Sequence, residues 1–145
     1  MKRVVWDQSK IIGEWVFEKF GSHFDPLSAT AIGQESAGQI VGGCVFDCHS
    51  GQAVQMHVAG LGGHWMTRDF LRAVLQYPFL QLGVKKIIAP IDSTNAQARK
   101  FVEHVGFIPE ATIADAGRNG NLILYTLTRQ QCRYLGVSLG KTIST

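Results

Sequence analysis

The most constraining stretch of this chain is Val84-Lys85-Lys86-Ile87-Ile88-Ala89-Pro90, a short run rich in aliphatic residues that reads as a buried strand. A helical pattern flanks it on each side. Phe70, Leu71, Val74, Leu75 and Phe79 precede it, and Ala98, Phe101, Val102 and Val105 follow it. Another apolar strand pattern, residues 53–59, lies ahead of the first of these helices. A strand, a helix and a second strand in one sheet require parallel pairing through a right-handed crossover. On either side of this unit, short strand patterns follow one another with only turn signals between them, which implies antiparallel hairpins. The chain is therefore expected to form an α/β fold on a mixed sheet.

The remaining elements follow from local signals. Residues 4–6 form a short strand, and Ile11, Ile12, Trp15, Val16 and Phe20 give a helix capped by Asp7 or Ser9 and ended by Gly21. Strands at 29–34, 40–48 and 53–59 form a meander turned at Gly38 and Ser50-Gly51. Pro78 should break the next helix near Tyr77, and Leu82-Gly83 closes it. Thr94 as N-cap with Gln97 three residues on fits a capping box for the following helix, which Gly106 stops. Strands at 107–114 and 122–128 meet around Asn119-Gly120, a hairpin signal. A short helix is expected from Arg129, then fraying. The order β-α-β-β-β-α-β-α-β-β reads as one domain over residues 1–135 with a tail at 136–145.

Composition narrows the function classes. With 145 residues and 46% hydrophobic content the chain can bury a core without disulfides or metal. No apolar run reaches the roughly 18 residues of a membrane span, and the first residues do not resemble a signal peptide. Three cysteines without framework spacing point to a reducing compartment. Residues 1–60 carry 4 basic and 6 acidic groups, and residues 61–145 carry 10 and 5. A second half of net charge +5 suits a polyanionic ligand, a phosphorylated cofactor or a nucleic acid, and equally a solvated basic face.

Chemistry concentrates between Val54 and Leu75, where a strand runs through Gly60-Leu61-Gly62-Gly63-His64-Trp65 into a helix. A helix start offers unpaired N–H groups and partial positive charge, and glycines before it let a phosphate approach the backbone. Thr67 can cap the helix or donate to a phosphate, with His64 and Arg68 alongside. An ordinary strand–helix turn would use glycines in the same way. The loop is neither a P-loop nor a dinucleotide fingerprint.

The segment from Asp92 to Phe107 carries Asn95, Ala98, Gly106 and Phe107 at the offsets of an "N-x-x-A … G-F" signature. In this, and in element order, nearly the whole chain resembles the GNAT superfamily of acyl-CoA-dependent N-acetyltransferases. Trp65, Thr67-Arg68, Leu71-Arg72-Ala73, Tyr77-Pro78-Phe79, Gln81-Leu82-Gly83, Leu127-Thr128-Arg129 and Cys132-Arg133 make it most similar to small acetyltransferase-like proteins of tailed phages and prophages.

The resemblance implies a mostly antiparallel sheet of six or seven strands whose central parallel pair splays open, flanked by three or four helices. It implies acetyl-CoA as cosubstrate, its pantetheine arm on the backbone of Met56, His57 and Val58. The pyrophosphate would rest on Gly62, Gly63, His64, Trp65, Thr67 and Arg68, with Asn95 and Phe101 nearby. The family's loop pattern falls on Gly62, Trp65 and Thr67, none of which keeps the pattern residue. Many members place a tyrosine acid where this chain has Val102.

A base must accept the acceptor's proton. His57, Glu35, Asp47 and Asp92 are the candidates, and Ser93 joins Asp92 as a substrate contact. For each there is a structural alternative: a packed histidine, a solvated carboxylate at a turn, turn chemistry. Cys44 and Cys48, four apart on a strand, are too far separated to share a metal ion and read as small buried hydrophobes; no metal is expected. The acceptor is an amine of a small molecule or protein, and the location is cytoplasmic, in a bacterial cell or phage-infected host. The oligomeric state, monomer or homodimer, is open. The second reading is a domain of this fold, impaired in catalysis, that binds a protein or nucleic acid.

Overall fold

A computed structural model describes residues 2–61 and 66–136. Seven strands form one sheet: β1 (Lys2–Val5), β2 (Thr30–Ser36), β3 (Gln39–Ser50), β4 (Ala53–Gly60), β5 (Lys86–Asp92), β6 (Ile108–Ile113) and β7 (Leu122–Thr128). Three α-helices accompany them: α1 (Ser9–Lys19), α2 (Arg68–Gln76) and α3 (Ala96–Val105). The sheet order is β1-β2-β3-β4-β5-β7-β6, and β4–β5 is the parallel pair. The element order and fold class are those expected. The tail differs. Arg129 onward forms turns, not a helix, up to residue 136, and the expected frayed tail lies almost wholly outside the described residues.

Period-two alternation divides the sheet between two apolar layers. Ile32, Cys44, Phe46, Val54, Met56, Ile87 and Ala89 face α2 and α3 in one continuous core. Ala31 and Val45 face α1 on the other side, against Ile12 and Val16. Helix α1 lies close to the sheet because Gly33 and Gly43 carry no side chain beneath it. A Cβ on Gly43 would stand 2.6 Å from Val16 Cγ2 and 2.9 Å from Ile12 Cγ2.

Several local expectations give way to tertiary demands. Ser9 does not cap α1; its hydroxyl accepts from the Ala31 amide at 3.1 Å, tying the helix to β2. Thr94 is not the cap of α3. Asn95 is, its side chain accepting from the Ala98 amide at 3.1 Å, while the Thr94 hydroxyl donates to Asp92 Oδ1 at 2.5 Å. Pro78 acts as expected: α2 ends at Gln76 and a π-helical segment, Tyr77–Leu82, carries the chain to Gly83 in the left-handed region. Glu35 lies on β2, not at a turn, and pairs with Arg3 at 3.1 Å. Cys44 is buried but Cys48 is exposed, at a positive-φ bulge of β3.

Candidate active site

The parallel seam is short. Only Ala53–Lys86, Val54–Ile87 and Gln55–Ile88 are paired across it. Beyond Gln55, strand β4 stays paired to β3 as far as Gly60. Beyond Ile88, strand β5 stays paired to β7 as far as Asp92. The two strands therefore diverge, and an opening forms between Met56–Gly60 and Ala89–Asp92. Along it, each strand has lost its parallel ladder on the facing edge. Backbone N–H and C=O groups on such an edge are ready for a ligand's amides.

His57 stands on the diverging part of β4. Its Nε2 lies 2.8 Å from Asp47 Oδ1. Asp47 is on β3, diagonal to His57, because Asp47 pairs with Gln55 and Val45 with His57. Both side chains are one-fifth exposed. Phe17 of α1 sets its ring edge-on to the imidazole, with centroids 5.4 Å apart and planes at 83°. Donating from Nε2 to the carboxylate leaves Nδ1 as the acceptor, the state a general base needs. Met56 and Val58 point to the opposite layer, toward α2, so only their backbone borders the opening on this side.

Thr67 is the N-cap of α2, its Oγ accepting from the Phe70 amide at 3.1 Å. Arg68 follows it, exposed, in the first turn. Gly62, Gly63, His64 and Trp65 lie outside the described residues. Phe101 is half-buried against the main core, and Asn95 spends its side-chain oxygen on the cap. Val102 is 1% exposed. A side chain there faces the core, so a tyrosine at this position would overpack the core instead of reaching the opening. The buried hydroxyl of Tyr125 is also committed: it donates to Glu103 at 2.5 Å and accepts from Arg99 at 3.1 Å.

Asp92 and Ser93 have a different task. Asp92 Oδ2 accepts from the amides of Asn119 (2.6 Å) and Gly120 (3.1 Å), and Oδ1 from the amide and hydroxyl of Thr94. Ser93 Oγ accepts from Asn121 at 3.0 Å. Together they pin the β6–β7 loop against the end of β5. The donated bonds, that of Asn119 foremost, hold the Asp92 carboxyl at about 2, below its ordinary 3.8. A carboxylate so depressed is a poor base. Its contribution to stability is fully present above pH 3.8 and is lost as pH falls toward 2. Asp92→Asn is expected to lower the melting temperature at neutral pH and to shrink the acid destabilisation between pH 4 and 2, read by thermal scans across that range. An unchanged acid limb would show that the loop is held by other contacts.

Sequence reasoning placed His57 and Asp47 as separate candidates and missed that they pair. It also passed over Gln34, which is fully buried on β2 beneath Thr67. Its signal was its place two residues after Ile32, on the same strand face. Burial pushes the Cys44 thiol up and, less strongly, that of Cys48, with Asp47 adding to both; protonated thiols are poor ligands and nucleophiles. Among the described residues, no group of three or more His, Cys, Asp or Glu side chains could hold a metal ion, and no helix is long and apolar enough to cross a membrane.

No protein-family model matches the chain, and no curated protein does. Solved structures do. The chain superposes on a ribosomal-protein-S5-alanine acetyltransferase from Vibrio fischeri with a TM-score of 0.67 at 12% identity, covering 91% of this chain and 94% of that one. The fold is the GNAT acetyltransferase fold. A spermidine N-acetyltransferase chimera from Vibrio cholerae matches at 0.66 and 15% identity, with 89% and 96% covered. Mycobacterium smegmatis RimJ, solved with CoA-disulfide, matches the GNAT-fold chain at 0.61 and 20% identity; 77% of this chain and 56% of RimJ are covered.

Proposed function

We propose that this chain is an N-acyltransferase that moves an acetyl group from acetyl-CoA directly to an amine. The observation that carries the reading is the three-pair seam with His57 just beyond it. An extended, amide-bearing ligand arm can complete the ladder that β4 abandons at Gln55, which puts a thioester beside His57. RimJ, of the same fold, is solved with CoA-disulfide, which supports a CoA-type ligand for this chain. The pyrophosphate then belongs at the start of α2, near Thr67 and Arg68.

In this mechanism His57 Nδ1 takes a proton from the acceptor ammonium, and Asp47 steadies the imidazolium that results. The freed amine attacks the thioester carbonyl, whose oxygen is stabilised by backbone N–H of residues 56–58. The C–S bond breaks as the amide forms, and the nitrogen gives up its second proton to water. With Val102 in the core, no α3 hydroxyl at that position protonates the sulfur. A thiol with a pKa near 8.5 leaves tolerably as thiolate near neutral pH and takes its proton from water. Turnover is accordingly expected to be slow but not zero. The likeness of residues 65–83 and 127–133 to phage and prophage proteins belongs to this reading and rests on the sequence alone.

Acetyl-CoA at about 100 times its dissociation constant is expected to stabilise the protein by about 2.7 kcal/mol, read as a rise in melting temperature. Thiol release in the presence of amines then measures transfer. A melting temperature unmoved at millimolar acetyl-CoA overturns the reading. A clear shift with no thiol release from any amine would favour the domain as a CoA-dependent binding module.

A further inference from the structure

The loop between β6 and β7 carries a cation across the open end of the site. Asp92 and Ser93 hold that loop to the end of β5, accepting from the amides of Asn119, Gly120 and Asn121. The Gly117 amide closes it on itself, donating to the Gly120 carbonyl at 2.9 Å. Its glycines sit without spare room. A Cβ on Gly117 would stand 2.5 Å from Asp92 Oδ2, and one on Gly120 2.6 Å from Ser93 Oγ. Arg118 lies between them, on a backbone fixed from both sides. Its guanidinium rests over Gly21, just past the end of α1. A Cβ there would meet Nη2 at 3.0 Å and Cζ and Nη1 at 3.4 Å. The same end of α1 carries Phe17, whose ring meets His57 and whose carbonyl accepts from the Ser22 amide at 2.9 Å. Arg118 therefore reaches from the β5 side of the opening to the β4 side, on the face that bears His57. This cation is unspent. Among the described residues Arg118 makes no hydrogen bond and enters no ion pair. Asp92 gives its oxygens to amides and to the Thr94 hydroxyl instead.

We propose that Arg118 selects the acceptor: the amine taken by this site also carries a carboxylate, which pairs with the guanidinium while the amine faces His57. The planar fork of an arginine matches a carboxylate with two parallel hydrogen bonds. Its contact with Gly21 is van der Waals only, so an arriving carboxylate displaces no hydrogen bond. The same charge opposes a second ammonium on the acceptor, which disfavours diamines and polyamines. The inference rests on the acyl-transfer reading for the reaction, and on the placement of Arg118 for the choice of acceptor.

The test offers the parent and Arg118→Gln a series of ω-amino acids, from glycine through β-alanine to longer chains, with the amide of each and diamines of matching length. Thiol release from acetyl-CoA measures transfer, with rates expressed per free amine. Ligand-observed NMR measures binding of the same compounds without acetyl-CoA. For the parent, kcat/KM for the acid is expected to exceed that of its amide about tenfold to a hundredfold at the chain length that spans His57 and Arg118, with diamines below both. Arg118→Gln is expected to bring acid and amide level, leaving the amide's rate and the melting shift with acetyl-CoA unchanged. A parent that treats acid and amide alike at every length, in transfer and in binding, overturns the proposal. So does a preference that survives in Arg118→Gln. The two readings fail separately. If acetyl-CoA leaves melting unmoved while acids bind in an Arg118-dependent way, the acyl-CoA reading falls and the carboxylate site stands. If amines are acetylated without regard to a carboxylate, the acyl-transfer reading stands and the role of Arg118 falls.

Discussion

His57→Gln is expected to lower the turnover number of acetyl transfer about 10²–10⁴-fold, the usual contribution of a positioned general base, while leaving the KM for acetyl-CoA within a factor of about two. Glutamine keeps a polar side chain beside Asp47 and Phe17 but cannot carry the proton. The thioester contacts assigned to β4 are backbone contacts, so ligand affinity is spared. The acid limb of the rate profile, which reports protonation of the base, should vanish with the imidazole. Asp47→Asn should act in the same direction by less, because it weakens the hold on the ring 2.8 Å away without removing it. Each side chain is only one-fifth exposed, so breaking the pair should also lower the melting temperature, and turnover is compared at a temperature where circular dichroism shows every variant folded. A variant His57→Gln that turns over as fast as the parent assigns the base to another group or to water.

Gly43→Val is expected to destabilise the protein by about 3 kcal/mol, the upper part of the range for overpacking, and to lower the melting temperature by roughly 10 °C. The new side chain would meet Val16 and Ile12 at their γ-carbons. Both are β-branched and on a helix, where χ1 is nearly fixed, so neither can swing aside. Helix α1 must lift instead. Gly33→Val meets chiefly the flexible δ end of Ile12 and should cost less. The lift would carry Phe17 away from His57, so activity should fall in Gly43→Val even at temperatures where it is folded. Equal melting temperatures for the two variants would mean that α1 is not seated on the glycines as described.

Much of this architecture could be read from residue order. The run at 84–90, the two helices around it and the hairpin signals were enough for the mixed sheet, because each rests on period and turn chemistry within a few residues. The placement of His57 and Gln55 on one face of β4, opposite Met56 and Val58, follows from alternation alone. The errors come from competing partners, some of them distant. Ser9 and Thr94 are good caps by type, but Ala31, 22 residues on, claims the hydroxyl of Ser9, and Asp92, two residues back, claims that of Thr94. The pairing of Asp47 with His57 depends on the register of β3 against β4. That register shifts between Asp47 and Ser50, where Cys48 takes a positive φ of 51°, a bulge that no residue type announces. Turn chemistry is the alternative reading for Asp92, and two of its four donors, the amide and hydroxyl of Thr94, are of that local kind; the other two come from a loop 27 and 28 residues further on, which no local signal shows. Val102 was legible as buried from its helical spacing, and that reading outweighs the role its position has in similar proteins.

The three-rung seam also has a mechanical meaning. On the α2 and α3 side one apolar layer runs unbroken across both halves of the sheet, from Ile32 to Leu127. On the other side, among the described residues, the layer under α1 is drawn from β1 to β4, through Val5, Ala31, Ile40, Val45 and Ala59. Two leaves joined by three rungs and backed on a single side form a leaf hinge. Widening the angle between them breaks no ladder bond beyond Gln55 and Ile88, because none exists there, while the backing resists their separation. Such a joint can admit wedges of different thickness at little energetic cost, and it always opens toward the face that carries His57.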